Sequence, residues 1–134
     1  MQRVGSTDSS TTDLAEDLPR RLRAHLRQVA KTGRPITYHA LAKALSLAPP
    51  NTIHQLTVAL ETLIAEDAVA DRPLIAALVI SKARQGLPAP GFFDCAKRLG
   101  RFNGDPLGSE CADFHLAELM QAIDYWRAED TQTE

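Results

Sequence analysis

The segment from Ile36 to Phe93 constrains the fold most. Three β-prone residues, Ile36-Thr37-Tyr38, lead into a stretch whose Leu41, Ala42 and Leu45 share one helical face. Pro49-Pro50 then interrupts the chain, because neither ring fits a helix interior. A second apolar stripe follows at helical spacing: Ile53, Leu56, Leu60, Leu63 and Ile64. Asn51 or Thr52 is its expected cap, and Thr52 with Gln55 three residues on fits a capping box. Leu74 to Ile80 is a nearly continuous apolar run behind Pro73, and its length and β-branched end predict a buried strand. Gly86, Pro88 and Pro90 mark a turn. Gly91-Phe92-Phe93 is then expected as a second short strand, or as the lead into a fourth helix from Asp94 to Leu99. Strand, helix, helix, strand, turn, strand is the order of a winged helix-turn-helix.

The flanks add helices to this core. Leu18, Leu22, Leu26 and Val29 fall on one face of a first helix starting near Leu14 or Leu18, with Asp17 as its N-cap, and ending at Gly33. Ser109 is the expected cap of a last helix to about Arg127, with Ala112, Leu116, Leu119, Met120, Ile123 and Trp126 facing the core. The expected architecture is an α-rich α+β winged helix-turn-helix with an N-terminal basic helix and a C-terminal helical extension. A disordered Ser/Thr/Asp-rich tail is expected over residues 1–13, a single domain over 14–127, and an acidic tail over 128–134.

Composition excludes several classes. With 134 residues and 44% hydrophobic side chains the chain supports one domain. No apolar run approaches the roughly 18 residues of a membrane helix, and the N-terminal stretch has no apolar leader core, so a cytoplasmic location without membrane partners is expected. Cys95 and Cys111 lack metal-ligand spacing, as do His25, His39, His54 and His115. P-loop, GxGxxG and GxSxG motifs are absent from the sequence. Neither a cofactor nor catalysis is expected.

Charge is unevenly distributed behind a net value of -2. Residues 19–34 carry Arg20, Arg21, Arg23, Arg27, Lys31 and Arg34 and no acid. Residues 82–101 carry Lys82, Arg84, Lys97, Arg98 and Arg101 against Asp94 alone, whereas residues 102–134 hold eight acids against Arg127. If the two basic clusters share a face, they offer phosphate contacts to duplex DNA. Arg20, Arg23 and Arg27 on the first helix, Lys82 and Arg84 on the turn, and Lys97, Arg98 and Arg101 beyond it are therefore candidate contacts. His54 and Gln55 on the third helix can reach base edges, and Tyr38 can stack on an extruded base. The competing reading is a solvated third-helix face, since Glu61 and Glu66 repel phosphate, and a half-buried Tyr38 satisfied locally.

The run Ile36-Thr37-Tyr38, two residues, then Leu41-Ala42, followed by a proline link, a helix and an apolar segment, resembles a known family. It is similar to the DNA-binding half of the alkylguanine DNA alkyltransferases and their catalytically silent alkyltransferase-like relatives. In these, a (V/I)-(S/T)-Y-x-x-(L/I/V)-A stretch opens a helix-turn-helix. The likeness covers Ile36 to Ile80 and implies that Tyr38 corresponds to the tyrosine that helps rotate a damaged nucleotide out of the duplex. That family acts through a cysteine in a Pro-Cys-His-Arg stretch after the recognition helix. Here Leu74 to Ile80 contains neither cysteine nor histidine, and Pro50 to Val58 contains no arginine to wedge the base stack. Ala76-Ala77-Leu78-Val79-Ile80 with Gly86 to Phe92 also resembles small uncharacterised bacterial domains bearing an LPALVV…TGLPGEGF signature. The expected function is a non-enzymatic bacterial winged-helix protein, a nucleic-acid-associated regulator or adaptor working through backbone contacts. The alternatives are a protein–protein interaction module that has lost DNA binding, and an alkyltransferase-like lesion sensor without transferase activity.

Overall fold

The computed structural model describes the backbone of residues 3–133 and the side chains of residues 17–128. The tails expected over 1–13 and 128–134 lie outside that side-chain range, Ala128 apart. The described chain is an α-rich α+β fold with one small sheet. Its elements are α1 (Arg3–Thr32), β1 (Ile36–Thr37), α2 (Tyr38–Ala44), α3 (Thr52–Val69), β2 (Val79–Ile80), α4 (Pro90–Arg98) and α5 (Glu110–Thr133).

The first half follows the hydrophobic pattern. Leu18, Leu22, Leu26 and Val29 of α1 are buried as their spacing predicts. The helix begins well before Asp17, so Pro19 lies inside it and Asp17 is not its cap. Gly33 closes α1 with φ +74°, a left-handed position that suits glycine. Thr37 ends β1 and caps α2, its hydroxyl accepting the Ala40 N–H at 3.1 Å. The expected capping box on α3 does not form. Asn51 occupies the cap with left-handed φ 61° and makes no side-chain cap bond. The Gln55 amide instead donates to Ala48 O and Pro50 O, both at 3.0 Å, and ties down the double-proline link.

The second half departs from expectation in three places, each for a physical reason. Leu74 to Val79 is buried as expected and Ile80 is half-buried, but only Val79–Ile80 is strand; Ile75–Leu78 is a 3-10 turn. Its sheet partner is the two-residue β1, paired in parallel with Ile36 opposite Val79 and Thr37 opposite Ile80. A ladder that short cannot satisfy the run, so buried carboxylates do. Asp67 accepts the Ile75 N–H at 3.0 Å and Glu118 accepts the Leu74 N–H at 2.8 Å. Second, of the two states expected for Gly91-Phe92-Phe93, the chain takes the helix entry and not the strand. Pro90 opens α4, where its fixed φ suits the first helical turn, and both phenylalanines are buried. The turn before α4 is closed by a lone antiparallel bridge between Ser81 and Leu87.

Third, α5 is rotated from its predicted face. Cys111, His115, Glu118, Ala122 and Trp126 are buried, whereas Leu116 and Met120 are 56% and 59% exposed. Two polar side chains hold this register: Glu118 meets the Leu74 N–H, and the His115 Nε2–H donates to Ala77 O at 2.9 Å. Burial lowers the His115 pKa, against a smaller opposing effect of the Ala77 bond, so the ring is held neutral. With its folded pKa below the unfolded value near 6.5, His115 contributes stability that is fully present above that value and lost as pH falls. His115→Gln should therefore flatten the loss of stability between about pH 7 and pH 5, measured by denaturant unfolding at each pH. An unchanged pH dependence would contradict the buried neutral ring.

Candidate functional site

Three elements meet around Tyr38. The start of α2 contributes Tyr38 and His39, the first turns of α3 contribute Ile53 and Thr57, and the chain after β2 contributes Ser81, Lys82, Ala83 and Ala89. They enclose a cleft of about 520 Å³, within the range of small-molecule sites. A narrower recess of about 60 Å³ shares Tyr38, Thr57 and Ala89 with the cleft and is otherwise lined by Leu60, Glu61, Ile64, Ala76, Gly91 and Phe92.

Local chemistry fixes the tyrosine. The Tyr38 hydroxyl oxygen accepts the Ala89 N–H at 3.0 Å, and no acceptor for its own proton occurs among the described residues. Burial raises its pKa, outweighing the opposing effects of the Ala89 bond and the Arg84 charge, so the phenol keeps that proton. Arg84 does not line the cleft. Its guanidinium donates to Pro88 O at 2.9 Å and braces the turn that carries Ala89. Lys82 is exposed and is the one lysine or arginine lining the cleft among the described residues. A ring, a free hydroxyl proton, a cation and apolar walls suit a flat polar molecule with an anionic end.

The other predicted contacts lie elsewhere. Arg20, Arg23 and Arg27 line a separate hollow of about 250 Å³ together with Glu66. Arg20 faces Asp17 at 3.7 Å. Arg23 is bonded to Asp67 at 2.9 Å and Glu66 at 2.8 Å, and it stacks over Trp126 at 5.2 Å. Arg101 is similarly committed, to Arg72 O at 2.9 Å and Glu118 at 3.0 Å. Lys97 and Arg98 are exposed on α4, Arg98 beside Asp94 at 3.4 Å. His54 is exposed on α3, and Gln55 is held by the proline link. Thr57 at the cleft and Glu66 at the α1 hollow are nine residues apart on α3, about 13 Å along its axis. Of the eleven candidates, the cleft gathers Tyr38 and Lys82.

Sequence reasoning passed over the buried acids Asp67 and Glu118 and the part-buried Arg72, the polar frame that holds Leu74 and Ile75 beside the recess. The signal was present: Asp67 continues the stripe Leu56, Leu60, Leu63, Ile64 at i+11, an acid on an apolar face. Both thiols are buried, and burial pushes the Cys95 and Cys111 pKa values up, away from nucleophilic thiolate. Among the described residues no three His, Cys, Asp or Glu side chains gather as a metal site, and no helix is long and apolar enough to cross a membrane. Comparison with protein-family models, curated proteins and solved structures returns no match for this chain.

Proposed function

We propose that this is a non-enzymatic, nucleic-acid-associated protein that holds one unstacked nucleotide in the Tyr38 cleft. In this reading β1, α2, α3 and β2 form a winged helix-turn-helix whose wing is reduced to the turn closed by Ser81 and Leu87. The observation that carries the proposal is Tyr38 itself, which walls both cleft and recess and keeps a hydroxyl proton to donate. Its ring offers a stacking surface, and Lys82 at the rim offers one phosphate contact. The alkyltransferase resemblance supports the same residue, with chemistry removed: the segment after α3 contributes Ala76 to the recess lining, where a cysteine would be needed. Backbone binding by the arginines of α1 is less favoured, because Arg23 is committed to Asp67 and Glu66 and the α1 hollow shares no lining residue with the cleft that Lys82 lines.

The test is anisotropy titration of labelled single-stranded and duplex oligonucleotides at two salt concentrations. The expected result is preference for the single strand, a shallow salt slope near one counterion, and at least tenfold weakening by Tyr38→Ala. Duplex binding with a steep slope, lost on charge reversal of Arg20 and Arg27, would transfer the site to α1. Absence of binding would favour the second reading, a protein-interaction module. Leu116 and Met120, exposed on α5 beside Asp113 and Asp124, are the surface that supports it.

A further inference from the structure

Resting on the reading of the cleft as a nucleotide site, we infer that the recess beside Tyr38 takes the 5-methyl group of thymine, so that the cleft holds a thymidine in preference to the same nucleotide bearing uracil. Leu60, Ile64, Ala76 and Phe92 line the recess. Tyr38, Thr57 and Glu61 also border it, yet the surface left open there is almost wholly carbon. Two of these polar groups are bonded to the backbone: the Thr57 hydroxyl donates to Ile53 O at 2.9 Å, and the Tyr38 oxygen accepts the Ala89 N–H at 3.0 Å. Recess and cleft share Tyr38, Thr57 and Ala89, so a substituent on a ring held in the cleft meets the recess.

Size and polarity together name the substituent. At about 60 Å³ the recess is too small for a base ring. A water molecule occupies about 30 Å³ in the liquid, and a methyl group is of similar size, so one small alkyl group fits. Water in an apolar recess lacks the two to four polar partners that hold buried water, and its displacement by an apolar group favours binding. Among the four bases of DNA, thymine alone carries an alkyl group, and uracil is the same ring without it. The exocyclic amine of cytosine or adenine would instead lose its water there and gain no partner.

The experiment compares short oligo-thymidylate with oligo-deoxyuridylate on the wild-type chain and on Ala76→Val. The two oligonucleotides share backbone and Watson–Crick edge and differ by one methyl group per nucleotide. The expected result is thymidylate bound about fivefold more tightly, the worth of one buried methyl group. Valine adds two methyl groups at the recess wall, so in Ala76→Val the two should fall within about twofold of each other, because thymidylate binds less well. Ala76 is buried, and thermal melting followed by circular dichroism checks that the variant folds. If it does not, nuclear Overhauser contacts on the wild type decide: the thymine methyl protons should touch the methyl groups of Leu60 and Ile64. Equal binding of the two oligonucleotides by the wild type, a preference that survives in folded Ala76→Val, or bound thymidylate without those contacts would overturn the inference while leaving the nucleotide site standing. Binding of neither oligonucleotide would overturn the site and the inference together.

Discussion

Asp67→Ala is expected to lower stability by about 3–5 kcal/mol, the cost of breaking a buried ion pair by removing one partner. Asp67 is fully buried. One carboxylate oxygen receives Arg23 at 2.9 Å and Arg72 at 2.9 and 3.0 Å, and the other receives the Ile75 N–H at 3.0 Å. Both guanidiniums lie over Trp126, at 5.2 and 5.4 Å, so the acid joins α1, the chain after α3 and α5 at one point. Truncation removes the buried acceptor shared by two part-buried guanidiniums and leaves the Ile75 N–H without its partner. A domain of this size has about 5–15 kcal/mol in total, so the variant should be close to unfolding at physiological temperature. Chemical denaturation measures it as a fall in midpoint at unchanged slope. A loss under about 1 kcal/mol would mean that the network is open to water.

Phe93→Ala is expected to cost a similar amount, about 3–5 kcal/mol, through a cavity in place of a broken charge network. Phe93 is fully buried, with ring centroids of Phe92 at 5.1 Å edge-on, Phe102 at 5.7 Å and Phe114 at 6.3 Å. Phe102 and Phe114 also touch each other, at 4.8 Å, so the rings brace α4 against α5 and the intervening loop. Edge-to-face contacts of this kind add to the burial itself. Leu116→Ala provides the contrast. Its side chain is 56% exposed, and the substitution should stay within about 0.5 kcal/mol. A large loss at Leu116 would restore the α5 face read from periodicity.

Where helices bury mainly apolar side chains, the sequence was legible. The stripes of α1 and α3, the break at Pro49-Pro50 and the short β1 all follow from spacing and proline stereochemistry. Reading failed where polar groups are buried. Counting only apolar residues on α5 shifted its face toward Leu116 and Met120, because a stripe of apolar side chains leaves out His115 and Glu118, which are buried. The same omission turned Ile75–Leu78 into strand, since its backbone partners are side chains remote in sequence. For Gly91-Phe92-Phe93 the sequence left strand and helix entry both open, and Pro90, a helix-start residue, outweighs the β propensity of the phenylalanines. For the site, Tyr38 and Lys82 could be named from sequence. That Glu61 and Ala76 join Tyr38 in a recess depends on how α3 packs against the 3-10 turn, which no local pattern encodes.

Two-dimensional amide NMR of the labelled protein, titrated with a short single-stranded oligonucleotide, locates the bound strand directly. If the Tyr38 cleft holds the nucleotide, shifts are expected to concentrate at His39, Thr57, Lys82 and Ala89. Shifts confined to Arg20 and Arg27 of α1, or to the exposed face of α5, would contradict it.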